Sequence, residues 1–246
     1  MTGIGRKLLA EFVGTFTLIF IGAGAVVVGL GTDVRGGGLV AVALAHGLAI
    51  ATMVSALGHV SGGHFNPAVT IGVWVTRRIG NGEAAVYILA QFAGAAAGAV
   101  AISLLIPRFL WEPVSLGTPL VTGELSAAQA IAFEAVLTFF LVWVVFATAL
   151  DRDGAFGKIA GLAIGFVITM DILVGGPFTG AAMNPARSFG PALISADWSG
   201  FWVYYLGPII GGTVAALLYD LVIIRRPEEA IEDQVDEAVE ETDTKE

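Results

Sequence analysis

The sequence predicts an all-α polytopic membrane protein, with six transmembrane helices and two re-entrant half-helices arranged as an inverted repeat of two halves. Hydrophobic residues make up 56% of the 246 residues and charged residues 13%, whereas soluble domains average about 25% charged residues. The sequence contains long apolar runs with almost no charged residues, which argue against the alternative, a large soluble α/β protein. Six apolar segments are long enough to cross a hydrocarbon core about 30 Å thick. They cover about 8–29, 39–58, 84–106, 127–149, 158–175 and 200–224.

The net charge of -9 is confined to the C-terminal end of the chain. Residues 227–246 hold ten acids and one base, so that residues 1–226 are neutral overall. We expect 227–246 to form an acidic, disordered, solvated tail. The chain has no cysteine, which excludes disulfides and thiol chemistry. Arg6 and Lys7 precede the first apolar run as in a signal peptide, but the run is too long for one and favours a transmembrane helix.

Basic residues in the loops predict the orientation of the chain. A six-span topology puts eight of them on one side of the membrane, namely Arg6, Lys7, Arg77, Arg78, Arg152, Lys158, Arg225 and Arg226. It puts three on the other side, namely Arg35, Arg108 and Arg187. The excess of basic residues marks the cytoplasmic side. We therefore expect both termini to lie in the cytoplasm.

The two halves of the chain repeat each other. Glu11, Thr15 and Phe16 in the first span return at the same spacing as Glu134, Thr138 and Phe139 in the fourth, and "YILAQFAG" (87–94) returns as "YYLGPIIG" (204–211). Because each half has three spans, an odd number, the second half must be inverted relative to the first. Inverted repeats with broken helices are typical of transporters and channels.

Two copies of the tripeptide Asn-Pro-Ala begin the predicted half-helices. One runs from Pro67 to about residue 75 and the other from Pro185 to about residue 194, each about 15 Å long, or half a bilayer. Asn66 and Asn184 are strong N-caps, and proline is favoured at the first helical position. Inversion brings the two N-termini together at mid-membrane. We expect both amide NH₂ groups to be free there, and with the helix dipoles to repel cations.

These motifs resemble those of the aquaporins, in the major intrinsic protein family. The resemblance covers about residues 6–226 and rests on "SGGHFNPAVT" (61–70), "MNPARSFGPA" (183–192), "LGPIIGG" (206–212) and the Glu-Thr-Phe repeat. It implies a channel domain over 1–226, with inverted halves at about 6–106 and 127–224. It also implies a pore in each protomer and a homotetramer in the lipid bilayer. The channel would conduct water passively, with small neutral solutes, and exclude protons and ions.

The resemblance also assigns roles to individual residues. It implies a pore centre at Asn66 and Asn184, and loop support from Glu11 and Glu134. The implied pore-lining carbonyls belong to Gly62, Gly63, His64, Phe65, Gly180, Ala182 and Met183, together with Ala181. The implied selectivity filter consists of His46, Ile172, Ala181 and Arg187. We expect no cofactor, no metal, no nucleic-acid partner and no enzymatic activity, and we place the protein in a prokaryotic inner membrane.

The filter residues determine which solutes the resemblance implies. The set His46, Ile172, Ala181 and Arg187 is most similar to plant tonoplast aquaporins, many of which also pass ammonia or urea. Ser188 resembles the water-conducting branch of the family, because glycerol facilitators usually carry aspartate at that position. A facilitator for ammonia, urea or glycerol on the same fold remains an alternative. A proton-coupled secondary transporter is a third hypothesis, which the two central amides and Arg187 oppose.

Overall fold

A computed structural model describes residues 3–31, 38–151 and 159–224. Six helices in these ranges are long and apolar enough to cross a membrane. We call them the first to sixth spans: Gly3–Gly29, Gly38–Ser61, Asn81–Leu105, Ala127–Leu150, Ala160–Thr179 and Val203–Ile223. Two shorter helices, Pro67–Val75 and Pro185–Ser195, are the first and second half-helices. The predicted fold class is confirmed, while the acidic tail at 227–246 lies outside the described residues.

Several helix bounds differ from the prediction. The first span begins at Gly3, five residues before the predicted start, because the helix continues through the polar pair Arg6 and Lys7. It contains a π-helical stretch, Leu18–Ala23, and helical structure continues beyond the span to Gly31. The fifth span runs one turn further than predicted, to Thr179, and ends at Gly180 with φ 79°. Between the third and fourth spans lie two short helices, Arg108–Trp111 and Glu112–Gly117.

The second and fifth spans cross through a pair of glycines in equivalent positions of the two halves. A Cβ at Gly47 would clash with the carbonyl oxygen of Gly165, and a Cβ at Gly165 would clash with the carbonyl oxygen of Gly47. A Cβ at Gly94 would likewise clash with the carbonyl oxygen of Phe12, and a Cβ at Gly211 would clash with the carbonyl oxygen of Ala135. Small residues let helix backbones approach closely in membranes. These contacts bring the spans close enough to enclose a narrow space.

One end of the helix bundle carries two ion pairs between elements that start or finish there. Lys7 Nζ lies 2.7 Å from Glu83 Oε1, and Arg78 Nη2 lies 2.6 Å from Asp220 Oδ1. These pairs are partly exposed, so that each contributes at most about 1 kcal/mol. They place two basic residues, Lys7 and Arg78, at one end, the end predicted to be cytoplasmic. Of the other six basic residues assigned to this side, Arg6 and Arg77 are described, while Arg152, Lys158, Arg225 and Arg226 lie outside the described residues. Arg35, assigned to the other side, also lies outside them.

Candidate functional site

Each half-helix begins at an asparagine that caps it. Asn66 has extended backbone (φ -157°, ψ 121°), and its Oδ1 accepts from the backbone N–H of Ala68 at 2.8 Å. Asn184 is also extended (φ -153°, ψ 112°) and accepts from Ala186 at 2.9 Å and from Arg187 at 3.3 Å. The caps follow from local sequence, because the asparagine oxygen satisfies N–H groups that have no partner within the helix.

The two caps are also joined across the centre of the molecule. Asn66 Nδ2 donates to the carbonyl of Met183 at 2.9 Å, and Asn184 Nδ2 donates to the carbonyl of Phe65 at 3.0 Å. The expectation that both NH₂ groups are wholly free is therefore wrong. Each amide has two hydrogens, and one of them holds the opposite loop. One hydrogen of each amide therefore remains outside these two bonds.

Two buried glutamates hold the loops that lead into the half-helices. Glu11 accepts four hydrogen bonds, from Ser61 Oγ (2.7 Å), His64 N (3.0 Å), Phe65 N (2.7 Å) and Gln91 Nε2 (2.8 Å). Glu134 accepts three, from Thr179 Oγ1 (2.6 Å), Ala182 N (3.0 Å) and Met183 N (2.8 Å). Both glutamates are fully buried. They direct backbone N–H groups of the loops away from the space between the half-helices, so that the carbonyls face it.

Matching tyrosines support the same loops from behind. Tyr87 donates its hydroxyl to the carbonyl of Ser61, and Tyr204 donates its hydroxyl to the carbonyl of Thr179, each at 2.9 Å. These tyrosines begin the two repeated stretches in the third and sixth spans. The strain in the loops explains the need for this support, since Phe65 (φ 48°) is in the left-handed region, which is uncommon outside glycine.

A narrow cavity, which we call the central cavity, lies between the two half-helices. About 30 Å³ is open to the centres of water molecules. Since one water needs about 10–15 Å³ by this measure, the cavity has room for two or three waters. Its lining contains Asn66, Asn184, His46, Ile172, Ala181, Arg187, Gly63, His64, Phe65, Ala182 and Met183. The apolar side of the lining contains Leu18, Ile50, Val69, Leu141, Val145, Ile164 and Ile168.

The structure thus brings most of the predicted site residues together. Gly62 and Gly180 do not line the central cavity, because they lie at the starts of the loops, where both have positive φ. Glu11 and Glu134 lie behind the loops. Among the described residues, no group of three or more acids, histidines and cysteines could hold a metal ion.

The four predicted filter residues share one part of this cavity. Arg187 is 4% exposed, and its Nη1 donates to the carbonyl of Gly117 at 2.7 Å. His46 is 3% exposed, and its Nδ1 lies 2.9 Å from the carbonyl of Val42. Because a carbonyl only accepts, Nδ1 carries the hydrogen and Nε2 is an acceptor. Neither Nε2 of His46 nor Nε of Arg187 has a partner within the described residues. The site offers an acceptor and donors to a solute, beside Ile172.

Comparison with known proteins identifies the family. The family model described as "Major intrinsic protein" matches residues 2–219. The chain belongs to the major intrinsic protein family. Members of this family are passive channels and not enzymes, which confirms the prediction that the chain has no enzymatic activity.

Several relatives of this family member come from plants. It is 45% identical to "Aquaporin TIP4-4" of Zea mays, over 89% of this chain and 86% of that protein. It is 42% identical to "Aquaporin TIP2-2" of Zea mays, over 93% of this chain and 92% of that protein. The X-ray structure of the aquaglyceroporin from Plasmodium falciparum is also similar, with a TM-score of 0.79, 28% identity and coverage of 89% and 97% of the two chains. The predicted resemblance to aquaporins of the tonoplast type is confirmed.

The predicted location in a prokaryotic inner membrane is wrong. Several relatives of this major intrinsic protein, at 40–45% identity, are plant tonoplast aquaporins. The physical reason for the error is that span length and loop charge indicate a bilayer and a cytoplasmic face. Neither quantity distinguishes one cellular membrane from another. The prediction of an integral membrane protein is supported.

Sequence reasoning missed three residues that position the predicted filter residues and the loops of this channel. Gly117 orients Arg187 through its carbonyl, from the connection between the third and fourth spans. Gly22 lies against the ring of His46. Gln91 bridges Glu11 and Thr70, donating 2.8 Å hydrogen bonds to both. Gln91 alone had a usable signal, as an uncharged amide within the repeated stretch 87–94.

Proposed function

We propose that the protein is a passive membrane channel for water that also admits small neutral solutes and excludes protons and ions. The observation that carries this proposal is the meeting of two asparagine-capped helix N-termini in a cavity only a few water molecules in size. The named relatives support water as the main solute, since several are described as aquaporins. The roles of individual residues below belong to the same proposal.

The two asparagines exclude protons by orienting one water molecule. Each Nδ2 keeps one hydrogen after its bond to the opposite loop, so that a central water accepts from Asn66 and Asn184 together. Both lone pairs of its oxygen are then occupied, and its own hydrogens point along the pore in opposite directions. This water cannot accept a proton from a neighbouring water, so a proton relay stops here. The positive ends of the two half-helices add an electrostatic barrier to cations.

The filter selects neutral, polar and small solutes. Arg187 is a fixed cation that repels cations and donates to solute oxygens. His46 supplies an acceptor through Nε2, so that a solute with both donors and acceptors is matched. Ile172 and Ala181 form the remaining wall and offer no side-chain hydrogen bonds. That wall favours the alternative function of an ammonia, urea or glycerol facilitator, because it tolerates solutes less polar than water.

We also propose that the protein assembles as a homotetramer, with the pore inside each protomer. Family membership supports the assembly. The described part of each protomer encloses its own central cavity, so that the pore itself does not depend on a second copy. Crosslinking of the purified protein in lipid nanodiscs tests the assembly, and a ladder that stops at two copies contradicts it.

Stopped-flow light scattering on proteoliposomes tests the proposed function. We expect water permeability well above that of empty liposomes, together with measurable urea and ammonia permeability and lower glycerol permeability in the same preparation. Water permeability equal to that of empty liposomes would overturn the proposal. Solute uptake that follows an imposed pH gradient would favour the proton-coupled transporter instead. We expect His46→Phe to narrow the filter, and unchanged water and urea permeability would place His46 away from the constriction.

A further inference from the structure

The connection between the third and fourth spans has an unusual backbone where it contacts Arg187. Ser115, Leu116 and Gly117 have positive φ values of 46°, 56° and 74° in succession. This left-handed backbone is unfavourable for residues other than glycine, and such strain persists only where neighbouring contacts hold it. We call residues 115–118 the strap. Its conformation indicates that other parts of the chain fix it in place.

The strap holds Arg187 through the carbonyl of Gly117. This carbonyl accepts from Nη1 of Arg187 at 2.7 Å, while Nε of Arg187 has no partner within the described residues. The strap also lies directly against the first span, because a Cβ at Gly117 would lie 2.7 Å from the carbonyl oxygen of Ala23. The position of Arg187 therefore depends on the contacts that hold the strap.

Two of these contacts come from the far end of the second half-helix. The half-helix ends at Ser195, and Asp197 follows two residues later. Ser115 Oγ donates to Asp197 Oδ2 at 2.8 Å, and the hydroxyl oxygens of Thr118 and Ser195 lie 3.3 Å apart. The carboxylate is itself fixed, because its Oδ1 accepts from the backbone N–H of Ser199 at 3.2 Å. The bond to the charged carboxylate is the stronger of the two contacts with the strap.

We infer that Asp197 is a positioning residue for the filter and acts on Arg187 through the strap. This role rests on the proposed function, in which Arg187 belongs to the filter. The second half-helix carries Arg187 in its first turn and is followed by Asp197 after its last turn, so that the strap connects its two ends. Loss of the bond to Asp197 frees the strap, and the carbonyl of Gly117 then no longer fixes the guanidinium. A filter with a mobile arginine admits larger solutes.

The glycerol-to-water permeability ratio of the full-length protein in proteoliposomes tests this role, because a ratio does not depend on the amount of folded channel. We expect Asp197→Ala to raise the ratio about threefold. Loss of a hydrogen bond to a charged group shifts an equilibrium by about tenfold, and the contact between Thr118 and Ser195 retains part of the hold. Asp197→Asn should keep the native ratio, because its amide donates to the Ser115 hydroxyl while its oxygen accepts from Ser199. An unchanged ratio in Asp197→Ala, or an equal rise in Asp197→Asn, would overturn the inference.

Ser115→Ala provides a second variant that leaves the carboxylate in place. It removes the donor to Asp197, so the permeability ratio should rise as it does in Asp197→Ala. Ser103→Ala is the matched control, because the hydroxyl of Ser103 donates to the carbonyl of Val100 in its own helix and should not affect the ratio. A native ratio in Ser115→Ala would contradict the inference.

Combination with Arg187→Ala shows whether Asp197 acts through the arginine. The double variant should have the same ratio as Arg187→Ala alone, because both changes remove the same hold on the filter. A further rise in the double variant would contradict the inference, since Asp197 would then act elsewhere. If Arg187→Ala raises the ratio and Asp197→Ala does not, the filter role stands and the positioning role fails. If Arg187→Ala itself leaves the ratio unchanged, both roles fail.

Discussion

Gly22 sets the position of the His46 ring, and Gly22→Ala tests the geometry of the filter. A Cβ at Gly22 would lie 2.6 Å from Nε2 and 2.8 Å from Cγ of His46, whereas ordinary contact begins at 3.4 Å. The ring must therefore move by at least about 0.8 Å, since its Cδ2 lies closer still to the new Cβ. The 2.9 Å bond between Nδ1 and the Val42 carbonyl opposes a retreat along the second span. The ring is then displaced into the central cavity, where only about 30 Å³ is open to the centres of water molecules.

We expect Gly22→Ala to reduce water permeability by about tenfold. An overpacked contact costs about 1–3 kcal/mol, and about 1.4 kcal/mol at the barrier to permeation is a factor of ten in rate. Stopped-flow light scattering on proteoliposomes measures this, at a channel density matched by quantitative immunoblotting. Thermal unfolding in detergent shows whether the variant is folded.

Two further variants isolate the cause. In Gly22→Ala combined with His46→Ala the ring is gone, so that permeability should return to at least the native value; this cycle measures the coupling between the two positions. Gly24→Ala is the matched control, because the nearest atom to its new Cβ is Ile102 Cδ1 at 4.0 Å. Native permeability in a folded Gly22→Ala, or a double variant as slow as the single one, would refute the reasoning.

Three other predictions concern the loops, the filter and the outer surface. Glu134→Leu removes the acceptor of three buried donors, and each donor left without a partner costs about 1–3 kcal/mol of stability. The melting temperature and the water permeability should therefore fall sharply, and Glu134→Gln should give intermediate values. An unchanged melting temperature would contradict this prediction. Arg187→Ala removes donors from the filter, and the glycerol-to-water permeability ratio should rise in the same liposomes; a constant ratio would argue against a filter role. Hydrogen bonds from Ser199 and Ser115 lower the pKa of Asp197, so its stabilisation is present above about pH 4. It is lost as the pH falls through the lowered value, and Asp197→Asn should flatten acid unfolding curves in that range.

Features that depend on neighbouring residues could be predicted from the sequence. The caps at Asn66 and Asn184 involve bonds to residues two or three positions away, and the span lengths follow from apolar runs. The repeat pointed to Glu11 and Glu134, because the same spacing recurs in both halves. The assignment of His46 to the filter came from the family resemblance and not from physical reasoning.

Features that depend on distant contacts could not be predicted. The amide of Asn66 is bound to Met183, 117 residues away, and the guanidinium of Arg187 to Gly117, 70 residues away. Nothing in the sequence near Gly117 marks its carbonyl as a partner, because a carbonyl occurs at every residue. Asp171 likewise stood in an ordinary apolar span, and only the packing of the helices shows that one oxygen of its carboxyl is buried with no partner within the described residues.

The sequence by itself determined that this chain crosses a membrane six times, inserts two capped half-helices and repeats itself in inverted form. Apolar runs, N-caps and repeated spacings are local or periodic features, so they can be recognised in the sequence without knowledge of the tertiary structure. The tertiary structure alone decided which amide hydrogens remain for a solute, which atoms narrow the pore beside His46, and where Asp171 faces. Those properties depend on distances between residues that are remote in the chain, and only the packing of the helices sets those distances.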